Sequence, residues 1–93
     1  KYNAHYDFFQ HISSMSGQRY ATILVYLNDD FSGGTTSFPK CNVEAKPLAG
    51  DAVSWYNCFP DANGNCVCFD DALHQGNPPT TGVKYALNIW IRF

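Results

Sequence analysis

Three side chains that could hold a metal ion lie near the two ends of this 93-residue sequence. His5 and Asp7 are separated by one residue, and in an extended strand such a pair projects from the same side, about 7 Å apart. His74 follows much later in the chain. Together, two imidazoles and one carboxylate could occupy one face of an octahedral metal ion and leave three positions open.

The triplet His5-x-Asp7 is weak evidence when it is taken alone, because a surface histidine beside an acidic residue produces the same pattern. A two-histidine, one-carboxylate set is nevertheless the ligand set of non-haem Fe(II) oxygenases. Lys84 lies ten residues after His74, at the head of an apolar stretch. A fixed cation near the iron suits a dicarboxylate co-substrate, whereas an exposed lysine at a sheet edge would have no such role.

Further motifs follow these residues in a fixed order along the chain. They are Arg19-x-x-Thr22, Gly33-Gly34-x-Thr36, Pro47-x-x-Gly50-x-Ala52, His74-x-Gly76, and Lys84 with Trp90 six residues later. With His5-x-Asp7, this set resembles the catalytic domain of prolyl 4-hydroxylase alpha-type proteins, within the Fe(II)/2-oxoglutarate dioxygenases. The resemblance extends over nearly all of the chain.

The resemblance implies an all-β fold, a double-stranded β-helix or jelly roll, that lacks the family's N-terminal helices and first core strand. Residues 1–93 would then be a catalytic core and a fragment of a longer chain, with an open sheet that another chain or chain segment covers. The implied activity is hydroxylation of peptidyl proline at C4. It requires Fe(II), 2-oxoglutarate and O2, and ascorbate would restore iron that is oxidised in unproductive turnovers.

The resemblance also assigns individual roles. His5, Asp7 and His74 would bind Fe(II), and Lys84 with the Thr36 hydroxyl would hold the distal carboxylate of 2-oxoglutarate. Thr22 would line the floor of the same pocket. The residues expected to line the groove for a proline-rich peptide are Tyr2, Arg19 and Trp90. Ordinary core packing would also explain Tyr2 and Trp90, and bound zinc or an inactive domain would also retain the three metal ligands.

Composition and periodicity indicate one small folded domain built from strands. Hydrophobic residues make up 45% of the chain and aromatic residues 16%, which excludes a disordered chain. Apolar and β-branched runs between turn signals predict strands over 1–9, 19–28, 35–39, 43–46, 51–57, 73–75 and 83–93. The run 19–28 has the composition of a strand buried on both faces, and no stretch has a helical apolar period. Such strands at short intervals indicate a sandwich or barrel.

Charge and hydropathy exclude two kinds of partner. The net charge is −2 and the six basic residues are scattered, so nothing suggests a nucleic-acid partner. No apolar run approaches the ~18 residues of a membrane span, so we expect no membrane span in this segment.

Four cysteines, Cys41, Cys58, Cys66 and Cys68, favour disulfides and an oxidising compartment, the secretory pathway with the endoplasmic reticulum lumen or the extracellular space. A Cys66–Cys68 bridge would be strained. The remaining pairings are 41–66 with 58–68, or 41–68 with 58–66, brought together by a turn at Asn63-Gly64. A zinc site built on Cys-x-Cys and a histidine is the alternative.

Three classes of function remain open at this stage. The first is a prolyl 4-hydroxylase, which the complete motif set favours. The second is a related 2-oxoglutarate oxygenase that acts on another residue or on a small molecule. The third is a non-catalytic module that binds a proline-rich or glycosylated partner in the same groove.

Overall fold

The computed structural model describes residues 3–93, and their regular structure consists of ten β-strands and one short 3₁₀ helix, Asp70–Ala72. No helix in this part of the chain has the length and apolar character needed to cross a membrane. The strands are β1 (Arg19–Tyr26), β2 (Ser32–Gly33), β3 (Thr36–Phe38), β4 (Val43–Ala45), β5 (Ala52–Tyr56), β6 (Cys58–Pro60), β7 (Cys66–Cys68), β8 (Gln75–Gly76), β9 (Pro79–Thr81) and β10 (Ala86–Arg92).

The central sheet is antiparallel and has the order β10-β1-β5. In β1, the side chains of Thr22, Leu24 and Tyr26 are buried, while the alternate residues Ile23 and Val25 are only half-buried. Successive side chains of a strand point to opposite faces, so one face of this sheet carries the core and the other is more open. The expectation that the run 19–28 is buried on both faces is therefore wrong for the described chain.

The open face of this sheet, hereafter the outer face, is formed by five apolar side chains, Ile23, Val25, Leu87, Ile89 and Ile91. In β10, Leu87 is 51% exposed, and Ile89 and Ile91 are each 42% exposed. The register pairs Ile23 with Ile89 and Val25 with Leu87, which places these side chains side by side. A continuous apolar surface of this kind is uncommon on a free protein surface.

The inner face of the central sheet packs against a second sheet, of order β4-β3-β8, with the pair β2–β9 beside it. The core consists of Leu24, Tyr26 and Phe31, with Val53 and Trp55 packed against them. Across the core, the ring of Phe38 in β3 meets the ring of Trp55 edge-on, with centroids 5.0 Å apart. A cavity remains open between the two sheets, and its walls come from both.

The N-terminal segment differs from its prediction. Residues 1 and 2 lie outside the described residues, and residues 3–9 form no strand. Their backbone pairs only once, where His5 and His74 exchange N–H···O bonds of 2.9 and 3.0 Å. The chain then bends at Asp7 and Phe8, which ends the pairing. This single bridge still brings two of the predicted ligands side by side.

The four cysteines form one disulfide, Cys58–Cys68, across the β6–β7 hairpin, where the two residues face each other in the register. The pairing 58–68 is therefore confirmed, and the alternative set 41–68 with 58–66 is wrong. Cys41 and Cys66 are not bonded to each other. Cys41 follows β3 and lies near the Asp71 carbonyl, whereas Cys66 opens β7 and lies near Gln18.

The alternative of a cysteine-based zinc site is wrong for the described residues. The disulfide consumes the thiols of Cys58 and Cys68. In residues 3–93, the one group of three or more metal-ligating side chains is His5, Asp7 and His74.

Candidate active site

The single backbone bridge between the N-terminal segment and the residue before β8 places three potential ligands around one point. All ligating atoms of His5, Asp7 and His74 lie within 4.8 Å of one another. The Asp7 Oδ1 atom is 3.5 Å from His5 Nε2 and 3.4 Å from His74 Nε2. Asp7 and His74 are buried, and the His5 side chain is 26% exposed. The cluster is therefore open to solvent mainly on the side of His5.

Both imidazole rings are fixed by their other nitrogen. His5 Nδ1 is 2.8 Å from the Asn3 carbonyl oxygen, and His74 Nδ1 is 2.9 Å from the Ala72 carbonyl oxygen. A carbonyl can only accept, so each Nδ1 carries a proton, and Nε2 is the nitrogen that each ring turns toward Asp7. This is the orientation that a metal-ligating histidine requires, with its second nitrogen hydrogen-bonded to a backbone carbonyl.

The Asp7 carboxylate uses its two oxygens differently. Oδ1 faces the histidines, while Oδ2 accepts hydrogen bonds from Thr22 Oγ1 at 2.9 Å and Trp90 Nε1 at 3.2 Å. Burial alone would raise the pKa of Asp7, but hydrogen bonding and charge attraction from His74, with the hydrogen bonds from Thr22 and Trp90, lower that pKa to about 2. Asp7 is therefore an anion at neutral pH, as a metal ligand must be.

The donor set fits a divalent iron ion. Neutral imidazole nitrogens with one carboxylate oxygen are the ligands of non-haem Fe(II) sites that keep coordination positions open. Neighbouring ligand atoms on an octahedral ion are about 3 Å apart when metal–ligand bonds are about 2.1 Å. The measured separations from Asp7 Oδ1, 3.5 and 3.4 Å, need only a small contraction to reach that value. These three residues could therefore hold Fe(II).

A cavity of about 700 Å³ begins at this cluster and extends between the two sheets. Its lining includes His5, Asp7, His74, Thr36 and Lys84. In residues 3–93 no carboxylate lies within ion-pair distance of the Lys84 ammonium group. Burial lowers the pKa of Lys84, and its Nζ atom lies 4.9 Å from the centroid of the Tyr26 ring. A cation without an anionic partner in a cavity suits an anionic ligand.

The wall beside Lys84 is formed by a small network of hydroxyl groups. Tyr26 donates its hydroxyl proton to the Gly34 carbonyl at 2.8 Å and lies 2.9 Å from the hydroxyl of Thr36. Both Tyr26 and Thr36 are fully buried. A side chain at Gly34 would come within 2.4 Å of the Phe31 ring and 3.3 Å of Lys84 Cδ, so only glycine fits there. Glycine at position 34 thus lets the backbone before Thr36 lie close to the Lys84 side chain.

The rim of the cavity carries a stack of aromatic and cationic groups. The Arg19 guanidinium lies over the rings of Phe9, at 4.7 Å, and Trp90, at 4.0 Å. Arg19 Nη1 also donates to the Asp7 carbonyl at 3.4 Å. These contacts connect the rim to the backbone of a candidate metal ligand. Phe9 was not among the predicted site residues, because its position next to Arg19 depends on the bend at Asp7 and Phe8.

Most predicted site residues meet in this cavity, and two depart from expectation. Tyr2 lies outside the described residues. Thr22 was expected on the pocket floor, but its hydroxyl contacts Asp7 and it does not line the cavity. Sequence reasoning missed two residues, Asn57, which donates a hydrogen bond to the Thr22 hydroxyl, and Trp55, which donates to Asn57 and lines the cavity. The motif set offers no signal for them, because the bond from Asn57 to Thr22 joins residues that are distant in the sequence.

The sequence and the fold have counterparts in proteins of known family. Residues 1–92 match the 2OG-Fe(II) oxygenase superfamily. A prolyl 4-hydroxylase homologue of Acanthamoeba polyphaga mimivirus is 46% identical over 76 residues, 82% of this chain and 30% of the relative. The chicken (Gallus gallus) prolyl 4-hydroxylase subunit alpha-1 is 33% identical over 99 residues, 98% of this chain and 18% of the relative.

A solved structure is also similar. It is the viral collagen prolyl hydroxylase of Paramecium Bursaria Chlorella virus-1 in its 2OG complex, with a TM-score of 0.80 and 31% identity over 98% of this chain and 51% of that chain. The fold is therefore the jelly roll expected from the resemblance. The chain belongs to the 2OG-Fe(II) oxygenase superfamily. It spans 30% and 18% of the length of the two curated relatives.

The low pKa of Asp7 predicts how the stability of the metal-free protein depends on pH. A carboxyl group with a folded-state pKa of about 2, below its unfolded value, stabilises the fold above about pH 4, and this contribution is lost as the pH falls toward 2. The expected size is about 2 kcal/mol. We expect the free energy of unfolding of the wild type to exceed that of Asp7→Asn at pH 5, and this excess to shrink at pH 2.5.

The measurement is urea unfolding of both proteins with a chelator present. Taking the difference between the two proteins removes the contribution of every other acidic group. An excess that is the same at both pH values would show that Asp7 is not stabilised as an anion.

Proposed function

We propose that residues 1–93 form the catalytic core of an Fe(II)- and 2-oxoglutarate-dependent dioxygenase that hydroxylates peptidyl proline at C4. The observation that carries the proposal is that a two-histidine, one-carboxylate cluster and an ammonium group without an anionic partner line one cavity. The names of the similar proteins, prolyl 4-hydroxylase and collagen prolyl hydroxylase, support the same substrate class.

In this proposal, His5, Asp7 and His74 hold Fe(II) on one face. With 2-oxoglutarate and O2, the bound iron supplies the oxidation that replaces a C–H hydrogen by a hydroxyl group and yields succinate and carbon dioxide, and ascorbate keeps the iron reduced. The chain supplies orientation. The carbonyls of Asn3 and Ala72 hold the imidazole rings, and Thr22 with Trp90 holds the carboxylate.

The proposed role of Lys84 is to bind the distal carboxylate of 2-oxoglutarate. Its ammonium group lines the cavity, and burial lowers its pKa, so an anionic partner would recover the lost solvation. Thr36 lines the same cavity, and its hydroxyl would donate a second hydrogen bond to that carboxylate. Because the Tyr26 proton is already donated to Gly34, the Thr36 hydroxyl donates to Tyr26 and must turn toward the ligand, which a hydroxyl rotor allows.

The proposed peptide site is the rim formed by Arg19 and Trp90, together with Phe9. Their stacked rings and guanidinium present a flat surface with little conformational freedom. Proline-rich peptides adopt a polyproline II conformation before binding and dock on aromatic surfaces of this kind. Tyr2, three residues before His5, is proposed to extend the same surface.

Turnover by the full-length protein tests this function. We expect Fe(II), 2-oxoglutarate and ascorbate to support the gain of one oxygen atom by a proline-rich peptide, with one succinate formed per hydroxylation. A peptide in which alanine replaces the prolines is the substrate control, and His74→Ala should abolish both products because one ligand is lost. Mass spectrometry of the peptide and a succinate assay provide the two measurements.

Two outcomes would contradict the proposal. Succinate without peptide hydroxylation would favour a related oxygenase with another substrate. Metal binding with no turnover would favour a non-catalytic binding module.

Removal of the Lys84 charge tests the proposed 2-oxoglutarate site. We expect Lys84→Ala to raise the KM for 2-oxoglutarate by roughly 10- to 100-fold, because a charge-assisted hydrogen bond contributes about 1.5–3 kcal/mol. Lys46→Ala is the matched control, since the Lys46 ammonium lies 4.4 Å from the Phe31 ring centroid but lines no part of this cavity. Steady-state kinetics give both constants. An unchanged KM would assign the carboxylate to another residue.

We also propose that another chain, or another segment of the full-length chain, covers the outer face. Its three β10 side chains are 42% to 51% exposed in residues 3–93, and the relatives are much longer than this chain. In the full-length protein, Ile89→Glu should then lower the free energy of unfolding by about 2 kcal/mol or more, because it buries a charge.

Leu48→Glu, at a residue that is 66% exposed in a turn, is the control. Chemical denaturation measures both variants. Equal, small effects of the two substitutions would mean that the outer face is free.

The compartment proposed for the protein is the secretory pathway, either the endoplasmic reticulum lumen or the extracellular space. Its support is the Cys58–Cys68 disulfide, since disulfides persist mainly in oxidising compartments. Alkylation of thiols before lysis, followed by peptide mass spectrometry, should find Cys58 and Cys68 unalkylated and joined to each other. Alkylation of both Cys58 and Cys68 would contradict this assignment.

A further inference from the structure

Asn57 is a buried amide that plays no part in the function proposed above. It directly follows β5, and its exposed fraction is 0%. Its side chain makes two hydrogen bonds. Asn57 Oδ1 accepts from Trp55 Nε1 at 2.9 Å, and Asn57 Nδ2 donates to Thr22 Oγ1 at 2.9 Å. A buried amide is costly unless its donors and acceptors are paired, and here both ends of the group are paired.

The directions of these hydrogen bonds follow from the chemistry of the groups. The Trp55 indole N–H can only donate, so the atom that faces it must be the amide oxygen of Asn57. The amide nitrogen of Asn57 therefore faces Thr22 and donates to its hydroxyl oxygen. Because Thr22 Oγ1 already accepts this bond, its own proton is free to point at Asp7 Oδ2, which lies 2.9 Å away.

These bonds form a directed series, which we call the Asn57–Thr22 relay. It begins at the Trp55 indole, passes through Asn57 and Thr22, and ends on Asp7 Oδ2. Trp90 Nε1 donates to the same oxygen at 3.2 Å. With two donors, Oδ2 is engaged on the side away from the cluster, and Oδ1 is the oxygen that faces both histidines.

We infer that Asn57 is a positioning residue: through Thr22, it holds Asp7 so that the single oxygen Oδ1 is presented to the metal ion. The inference rests on the metal site of the proposed function and deepens it. Without the amide donor, the Thr22 hydroxyl gains a free lone pair and can rotate away from Asp7. Asp7 Oδ2 then loses a donor, and the carboxylate becomes free to turn.

A purely structural role for Asn57 is the competing explanation. Its backbone N–H donates to the Tyr20 carbonyl at 2.8 Å, and its carbonyl accepts from the Phe69 N–H at 2.8 Å, so the residue also ties the chain between β5 and β6. These backbone bonds survive a change of side chain. A test must therefore separate loss of the relay from loss of stability.

The test measures Co(II) affinity and the Co(II) visible absorption of the full-length protein, with Thr22→Val and Thr22→Ser as the first pair. Valine keeps the shape of threonine without the hydroxyl, and serine keeps the hydroxyl. Groups that orient metal ligands typically contribute 10- to 100-fold to metal affinity. We expect Thr22→Val to weaken Co(II) binding by about that factor. Thr22→Ser should restore most of the affinity and the wild-type spectrum.

The Co(II) affinity and spectrum of Asn57→Leu and Asn57→Ala are then measured twice, once with Thr22 intact and once combined with Thr22→Val. With Thr22 present, we expect each to weaken Co(II) binding by about 10-fold and to change the Co(II) spectrum as Thr22→Val does. With Thr22→Val already present, each should add less than about twofold, because groups that act in one series are not additive. Circular dichroism identifies a temperature at which every variant is folded, and all Co(II) measurements are made at that temperature.

Two results would overturn the inference alone. One is an unchanged Co(II) affinity in both Asn57 variants. The other is that the Asn57 substitutions lower the Co(II) affinity by the same factor with Thr22 intact and with Thr22→Val. A different result would overturn the metal site and the inference together, namely a wild-type Co(II) affinity that His74→Ala does not reduce. The two failures are therefore distinguishable.

Discussion

The site depends on a buried carboxylate whose two oxygens are assigned to different partners. Removing a carboxylate from water is costly unless hydrogen bonds and nearby positive charge replace the lost solvation. Asp7 obtains them from opposite directions, with His5 and His74 on Oδ1 and with Thr22 and Trp90 on Oδ2. These partners come from the N-terminal segment, from the residue before β8, and from β1 and β10. The antiparallel pairing of β1 with β10 brings Thr22 and Trp90 together at Oδ2. It therefore helps to keep Asp7 in the anionic form that a metal ion requires.

The distribution of charge in the cavity explains why it suits an anionic ligand that bridges two points. One end carries the two imidazoles and the Asp7 anion, and the other carries the Lys84 ammonium without an anionic partner in residues 3–93. A half-buried cation without an anionic partner lowers stability and raises affinity for a matching anion. The outer face is unfavourable for a different reason, because it exposes apolar side chains to water and not an unpaired charge.

The sequence predicted those features that depend on residue type and short spacing. His5, Asp7 and His74 were recognisable as candidate ligands, and Lys84, Asn88 and Trp90 alternate so that all three line the cavity. Features that depend on how distant segments meet were not predictable. The strand expected over 1–9 is absent from its described part, residues 3–9, because local alternation does not reveal that only His5 pairs its backbone there. Asn57 was missed for the same reason, since its bond to Thr22 needs the register between β1 and β5.

That register ties the two ends of the cavity together. Thr22 contacts Asp7, Leu24 lines the cavity, and Tyr26 lies under Lys84, so one face of β1 runs from the candidate metal ligands to the ammonium group. Four residues of strand span about 13 Å, and this fixes the separation of the two ends. In the register between β1 and β10, Trp90 lies opposite Thr22, which is why both can donate to one oxygen of Asp7. A slip of one residue would turn Thr22 and Tyr26 to the outer face together, so both ends of the site would be lost at once.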